Sequence, residues 1–507
     1  MSQSPESSVV KGGFAAVLGH RTAVLGFFLF AVFAPHSIAG AEISLAIVAS
    51  GWLLRTVATG RAGLRRTKLD LPIWLFLLWT VVSAFLSAEP RISLAKLQSV
   101  CVVFVFYLTQ AIVTRRTAVL LVSLMILSGV AGTLFSVYDL IRGRGVVVES
   151  LSTNSPFRKV VTQPGLAESQ LETTEIRRGE TIWRIDGHRV YSVAEIDDAI
   201  RLATPGKQLP VSVIGDGEHV EWGFVVSPEL QKLPSPSGIN GAGRLHRFRA
   251  SGWTRHYEYF AEILQLLAQL SLGLALANFQ NHGTNRRFKL ALIATGALAF
   301  GIAFTAMRTV LVAFAIGGCV VVWRAAARTA AARLLVTAAI MFVFSFGVVV
   351  VWQTRATHAL SLQDDSSSLR LRVARVGLSR LLLHPVFGHG MDAVQKHWSE
   401  WGFPGADMVH FHSTPLQLAF DRGLPALLFW IWIMIASLRL VMGGERMTRD
   451  SGDTNRHGVL LGATGALAGF LVSSLVNYNF GAGIVALVFW WFIGVVVVLG
   501  EPQRAKR

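Results

Sequence analysis

Long apolar runs broken by short polar connections recur through most of the 507-residue chain. Runs of about 17 to 22 residues match the length a helix needs to cross a hydrocarbon core of roughly 30 Å. Twelve spans are expected, near 17–38, 41–57, 71–88, 97–114, 117–138, 256–278, 289–306, 308–323, 334–353, 423–441, 457–476 and 482–500. Two long stretches, 139–255 and 354–422, interrupt the pattern. The expected organisation is therefore 1–138 with five spans, the segment 139–255, 256–353 with four spans, the segment 354–422, and 423–507 with three spans and a polar tail.

Charge orients the spans. Arg55, Arg61, Arg65, Arg66 and Lys68 share one connection, Arg115 and Arg116 another, and Arg286, Arg287 and Lys289 a third. Arg324, Arg328 and Arg333 follow, then Arg439, Arg446, Arg449 and Arg456, then the tail with Arg504, Lys506 and Arg507. Every second connection is basic, so the positive-inside rule makes these cytoplasmic, puts both termini inside and turns 139–255 and 354–422 outward. This accounts for the net charge of +17 without nucleic acid, and 52% hydrophobic against 15% charged residues agrees with a membrane protein. Cys101 and Cys319 both lie in apolar spans, so no disulfide framework or zinc cluster is expected. The first run reads as an uncleaved span rather than a signal peptide, because a small-residue cleavage site is not evident and eleven spans follow.

The segment 139–255 is long enough to fold by itself. Within "RRGETIWRIDGHRVYSVAEIDDAIRLATPGKQLPVSVIGDGEHVEWGFVV", "ETIWRI" alternates as a strand and Asp186-Gly187 signals a tight turn. Ser192 with Glu195 forms a capping box opening a helix to about Leu202, which Pro205-Gly206 ends. "QLPVSVIG" and "EHVEWGFVV" then flank Asp216-Gly217 as a hairpin. This order resembles the second half of a bacterial PDZ domain, over about 155–230, with Glu180 where Asp is usual. Upstream, "RGRGVVVES" at 142–150 fits a carboxylate-binding loop poorly. A module docking a periplasmic protein partner and a plain α/β spacer both stay open.

The segment 354–422 carries the residue types suited to chemistry. In "SLRLRVARVGLSRLLL", 368–383, Leu369, Val373, Val376 and Arg380 share a helical face, with Arg370, Arg372 and Arg375 around it. Such a basic amphipathic helix on the outer leaflet suits anionic headgroups or a lipid-linked diphosphate, because Arg offers phosphate a planar fork of donors. Arginines that merely snorkel to water are the alternative. Arg91 and Lys96 lie on an outward connection, where they extend a diphosphate site or anchor the interface. Asp364, Asp365, Asp392, Glu400, Asp407 and Asp421 make no ligand spacing of the His-Glu-x-x-His kind, so no metal and no cofactor are expected.

Arg308 in "FTAMRTVLVAF", followed by "SLRLRVARVGLSRLLLHPVFGHG" and "HFHSTPLQLAFDRGLPALLF", resembles the pattern of O-antigen ligases and related lipid-linked glycan polymerases. In that pattern an Arg at the mouth of a span precedes a second Arg, a His-Pro-x-x-Gly-x-Gly turn, and a His before a Leu-rich entry to the next span. Here these are Arg308, Arg370, the turn His384, Pro385, Gly388 and Gly390, and His412; Ser413 stands where Asn is usual. The resemblance implies an all-α polytopic membrane protein of about twelve transmembrane helices, GT-C-like, with the small α/β PDZ-like domain inserted in a periplasmic loop.

It further implies transfer of a glycan from polyprenyl diphosphate to a sugar hydroxyl, such as one on the lipid A core, at the periplasmic face of the bacterial inner membrane. Arg308 and Arg370 are then expected to bind the diphosphate and stabilise its developing charge. His412 is the expected general base, since an unperturbed imidazole titrates near 6.5. Direct displacement gives inversion. Arg372 and His410 are secondary binding candidates, and His384, Gly388 and Gly390 shape the turn. A polymerase of O-antigen or exopolysaccharide repeats, or a protein O-oligosaccharyltransferase, uses the same chemistry and stays open. A transporter or flippase is a reading of another class, but the spans hold few ionisable residues and the notable charges gather at their ends. A glycan-assembly scaffold is a further one.

Overall fold

A computed structural model of the protein describes residues 13–162, 173–215, 218–246, 248–254, 256–326, 365–405 and 410–500. These form two compact units, Met1–Thr133 with Ser251–Arg507, and Leu134–Ala250. In chain order the first helices are α1 Gly13–Phe33, α2 Ile38–Thr59, α3 Asp70–Leu86, α4 Pro90–Ala95, α5 Phe104–Ile112 and α6 Arg115–Arg142. A 3-10 turn, Leu97–Val103, leads into α5, so the expected span 97–114 is helical in two geometries.

The Leu134–Ala250 unit is built on an antiparallel sheet of eight strands. These are β1 Arg144–Val148, β2 Val160–Thr162, β3 Thr173–Thr174, β4 Thr181–Ile185, β5 His188–Arg189, β6 Gln208–Gly215, β7 Glu218–Val225 and β8 Ala242–Leu245. Their order is β3-β2-β7-β6-β4-β1-β8, with β5 paired to β4. The expected strand, helix and hairpin are present: β4 ends at Asp186 and Gly187, both at positive φ, and α7 spans Val193–Leu202. The Ser192 hydroxyl accepts from the Glu195 amide, while the Glu195 carboxylate accepts from the Tyr191 amide. Ile196 and Ile200 of α7 bury themselves against Val146, Ile182, Val211 and Trp222 of the sheet. Four strands, β1, β2, β3 and β8, lie outside the elements expected from the sequence pattern. "RGRGVVVES" contributes β1, which pairs with β4 on one side and β8 on the other.

A short α8, Pro228–Gln231, precedes β8. The chain then returns to long helices: α9 Tyr257–His282, α10 Arg286–Thr305, α11 Arg308–Ala325, α12 Asp365–Leu381, the short α13 Ala393–Lys396, α14 Thr414–Thr448, α15 Thr454–Ser474 and α16 Gly483–Gly500. Among the described residues nine helices are long and apolar enough to cross a membrane, with α3 and the Leu97–Ile112 stretch shorter. The expected span 334–353 lies outside the described residues. The chain is thus a mostly helical, multi-pass membrane protein carrying one small sheet unit. Helices α9, α15 and α16 are the most enclosed, whereas α2 and α10 present most of their apolar side chains outward. Outward Leu, Ile and Phe are what a hydrocarbon solvent permits and water would not.

The basic helix α12 differs from its expected setting. Val373 is buried with Val394, Trp398, Phe403, Phe411 and Phe420, and Leu369 and Val376 pack on the same cluster. The face predicted to lie on lipid therefore covers a small aromatic core of the segment 365–422. Leu371, Leu378 and Leu382, on other faces, are exposed.

Candidate functional site

The turn after α12 is keyed into a break in α14. Gly423 has φ 79° and ψ 170°, interrupting the helix, and Pro425 restarts it where the missing N–H costs least. The expected span 423–441 begins at this break. The Leu424 amide donates to the Pro385 carbonyl at 2.8 Å, the His389 amide to Phe420 at 2.8 Å and the Gly390 amide to Asp421 at 3.0 Å. A Cβ on Gly423 would stand 1.8 Å from the Val386 carbonyl oxygen, and one on Gly388 2.5 Å from the Asp421 carbonyl carbon. Gly388 also has φ 72°. Both glycines are required by close backbone approach and left-handed geometry together.

The same turn grips the connection after α3. The Glu89 amide donates to the His389 carbonyl at 3.0 Å, and the Met391 amide to the Ser93 hydroxyl at 3.1 Å. His389 is buried, stacks on Phe420 with centroids 4.3 Å apart, and its Nε2–H donates to the Arg380 carbonyl at 2.9 Å. Burial pushes its titration below the ordinary value. His389 and the Phe420–Gly423 break, neither evident from the sequence pattern, join the shared aromatic cluster in holding α12 to α14. Their trace was the short spacing Gly388-His389-Gly390 and the Gly-x-Pro at 423–425.

His412 sits two residues before α14 at φ 51°, a left-handed conformation uncommon for histidine. Such backbone costs of order 1–3 kcal/mol and persists where surrounding contacts determine it. Those contacts are visible. The Phe411 amide donates to Gln417 Oε1 at 2.8 Å, and Gln417 Nε2 donates to Asp421 at 2.8 Å. The Thr414 amide donates to the Asn477 carbonyl at 3.1 Å. The His410 ring lies 4.7 Å from that of His412 and 5.5 Å from that of Tyr478. Burial, then the charges of His410 and Arg370, push His412 down to about 3. His410 is lowered as well, by burial first, with Arg370 adding to the effect and Asp392 opposing it. Burial also raises the Tyr478 phenol.

Arg370 is thus brought to both histidines, half-buried on α12. Arg372 is exposed. Arg308 is exposed at the first position of α11, following Ala306 in the left-handed region. Its neighbour Thr309 is tied to Asn477. Lys96 pairs with Asp392, and Arg91 is exposed on α4. His384 is exposed, and its carbonyl accepts from the Gly388 amide at 3.0 Å, closing the turn. Ser413 is the N-cap residue of α14 but makes no side-chain cap.

These features define a multi-pass membrane protein with paired histidines, both lowered in pKa, and an arginine gathered where a long apolar helix begins. Residues 293–431 match the family model described as O-Antigen ligase, a segment holding Arg308, Arg370, Arg372, His384, Gly388, Gly390, His410 and His412. Arg91 and Lys96 lie outside it. No curated protein gives a significant match to the chain. The family match points to a glycan transferase of ligase or polymerase type.

Proposed function

We propose that the protein is an O-antigen ligase-type glycosyltransferase that moves a glycan from polyprenyl diphosphate to a sugar hydroxyl of a lipid A core acceptor, at the periplasmic face of the bacterial inner membrane. The observation that carries the reading is His412: half-buried, held at positive φ, lowered in pKa, and next to Arg370. With its pKa lowered to about 3, the imidazole keeps a free lone pair for an acceptor proton but is a weaker base than the 6.5 expected from the sequence, and a neighbouring guanidinium suits a diphosphate oxygen.

In the proposed step the acceptor oxygen attacks the anomeric carbon and its proton passes to the His412 imidazole. The bond from that carbon to the diphosphate oxygen breaks, and its electron pair leaves with the polyprenyl diphosphate. Arg370 and Arg308 stabilise the charge gathering on that oxygen, an effect worth most where water is excluded. Attack opposite the leaving group inverts the anomeric centre. No metal enters the step; abolition of transfer by chelation, with recovery on adding a divalent ion, would contradict this.

The test is transfer by the purified protein from a polyprenyl-diphosphate glycan to a lipid A core acceptor, with His412→Ala and Arg370→Ala alongside. Transfer by the wild type alone, with both variants folded, supports the proposal. Chain growth from donor only, with no transfer to the core acceptor, replaces the ligase with a polymerase using the same residues.

A further inference from the structure

Arg308 opens α11 and His412 lies just before α14, and one buried residue is bonded next to both, through its side chain to the first and its backbone carbonyl to the second. Asn477 lies in "VNYNFGAG", a polar interruption between α15 and α16. Its carbonyl accepts from the Thr414 amide at 3.1 Å and from the Thr414 hydroxyl at 3.0 Å. Thr414 follows His412 by two residues. The Asn477 amide nitrogen reaches Thr309 Oγ1 at 3.2 Å, and Thr309 directly follows Arg308. The same nitrogen reaches Glu262 Oε1 at 2.8 Å and Ser473 Oγ at 3.0 Å, which anchor it to α9 and α15. Ser473 in turn donates to Glu262. Asn477, Glu262, Ser473 and Thr414 are all buried.

We propose that Asn477 is a positioning residue that fixes the start of α11, with Arg308, relative to the His410–Thr414 segment, with His412. This rests on the roles given above to Arg308 and His412. Asparagine is suited to the task because its side-chain amide nitrogen, with two N–H donors, faces acceptors on α9, α11 and α15 while its backbone carbonyl holds the start of α14. Aspartate lacks the donors and would face Glu262 as a second acid, and glutamine adds a methylene in a closed space. Asn479 and Ser474 also reach Thr414 or one another, but neither is bonded to α11. Each hydrogen bond is worth only about 1 kcal/mol net, so stability alone gives little reason for a hub here. A misplacement of about 1 Å between reacting groups costs on the order of 10²-fold in rate.

The experiment compares full-length wild type, Asn477→Ala and Gln269→Leu in the lipid-linked transfer assay, with detergent melting measured on each. Gln269 is the control because it also bonds α9 to α11, donating to the Phe314 carbonyl at 2.6 Å, away from the histidine segment. Expected is a fall in kcat of at least about tenfold for Asn477→Ala, with KM for donor and acceptor within about twofold. Gln269→Leu is expected to keep kcat within about threefold even where its melting temperature drops. Should Asn477→Ala fail to accumulate, Thr414→Val, which removes one hydroxyl and keeps the backbone, takes its place with the same expectation. A kcat within about threefold of wild type, a loss carried by KM alone, or an equal loss in Gln269→Leu overturns the proposal. Wild-type activity in His412→Ala removes the reading of the site itself, which is a different result from an unaffected Asn477→Ala beside an inactive His412→Ala.

Discussion

The backbone N–H of His412 donates to Nδ1 of His410 at 3.4 Å, so in its neutral form the His410 ring carries its proton on Nε2. The two rings also hold each other's charge down, since a proton on either disfavours one on the other. His412 lowered to about 3 is unprotonated throughout the neutral and mildly acid range. A base in that state is lost only when the pH falls through its lowered value. The acid limb of kcat/KM, which reports the free enzyme, is therefore expected well below 6.5. His410→Gln removes one charge but leaves burial, the larger cause, and Arg370. Its limb is expected to move up in pH while staying below the ordinary histidine value. Profiles of kcat/KM from about pH 2.5 to 8 check both statements; a wild-type limb at 6.5 would mean that His412 is solvated.

The candidate residues were singled out in the sequence through the family resemblance rather than through spacing alone. Arg370 and His412, with His410 as a secondary candidate, came from that resemblance, and the structure brings the three together. The means of holding them was not legible. The Gln417 side chain holds the Phe411 backbone amide and the Asn477 carbonyl holds Thr414, and the pattern of side-chain types says nothing about which backbone group a neighbour will meet. The basic helix shows the same limit: periodicity located its apolar face, but lipid and an aromatic cluster of the same chain ask for the same residues.

Glycine substitutions separate conformational strain from lost space. Gly423→Ala meets both, with φ 79° and a Cβ 1.8 Å from the Val386 oxygen. Gly402 has φ 75°, and a Cβ added there would meet nothing within 4 Å. Gly402→Ala is expected to cost only the left-handed penalty of about 1–2 kcal/mol. Gly423→Ala should cost well beyond that and abolish transfer, because the turn can no longer key into α14. Melting in detergent and the amount of protein in membranes check the ranking; equal effects would place the penalty in the dihedral angle alone.

Arginine identity should matter at one position of α12 and little at the next but one. Arg370→Ala is expected to lower kcat by about 10²–10³-fold, the usual effect of removing one donor to a developing anion. Arg370→Lys should recover only part, since an ammonium lacks the planar fork. Arg372, exposed and away from the histidine contacts given for Arg370, should tolerate Ala within about threefold. Lys96 is already paired with Asp392 in a half-exposed setting, and Lys96→Gln should leave donor KM within about threefold. Steady-state kinetics with varied donor decide each case, and a large KM effect for Lys96→Gln would extend the diphosphate site to α4.

The sheet unit was legible where local chemistry dictates structure, as at Ser192 and Asp186-Gly187, and not where a strand waits for distant partners. β1 and β8 are nearly a hundred residues apart, and their pairing is set by tertiary contact. Beside them is a buried ionic cluster no pattern signalled. One oxygen of Asp139 accepts from Arg144 at 2.7 Å and from Arg189 at 3.0 Å, with the Asp139 side chain fully buried and Arg144 almost so. The Arg144 guanidinium also lies 3.9 Å from the centre of the Phe248 ring. Asp139→Leu alone strands two arginines, and breaking a buried pair in this way costs about 3–5 kcal/mol. Asp139→Leu with Arg144→Met removes the more buried charge as well, and should be the less damaging of the two. Limited proteolysis of the 134–250 segment in the full-length protein, followed against temperature, reads this order. The reverse order would mean that Arg144 is held chiefly by the aromatic rings, with Asp139 contributing little.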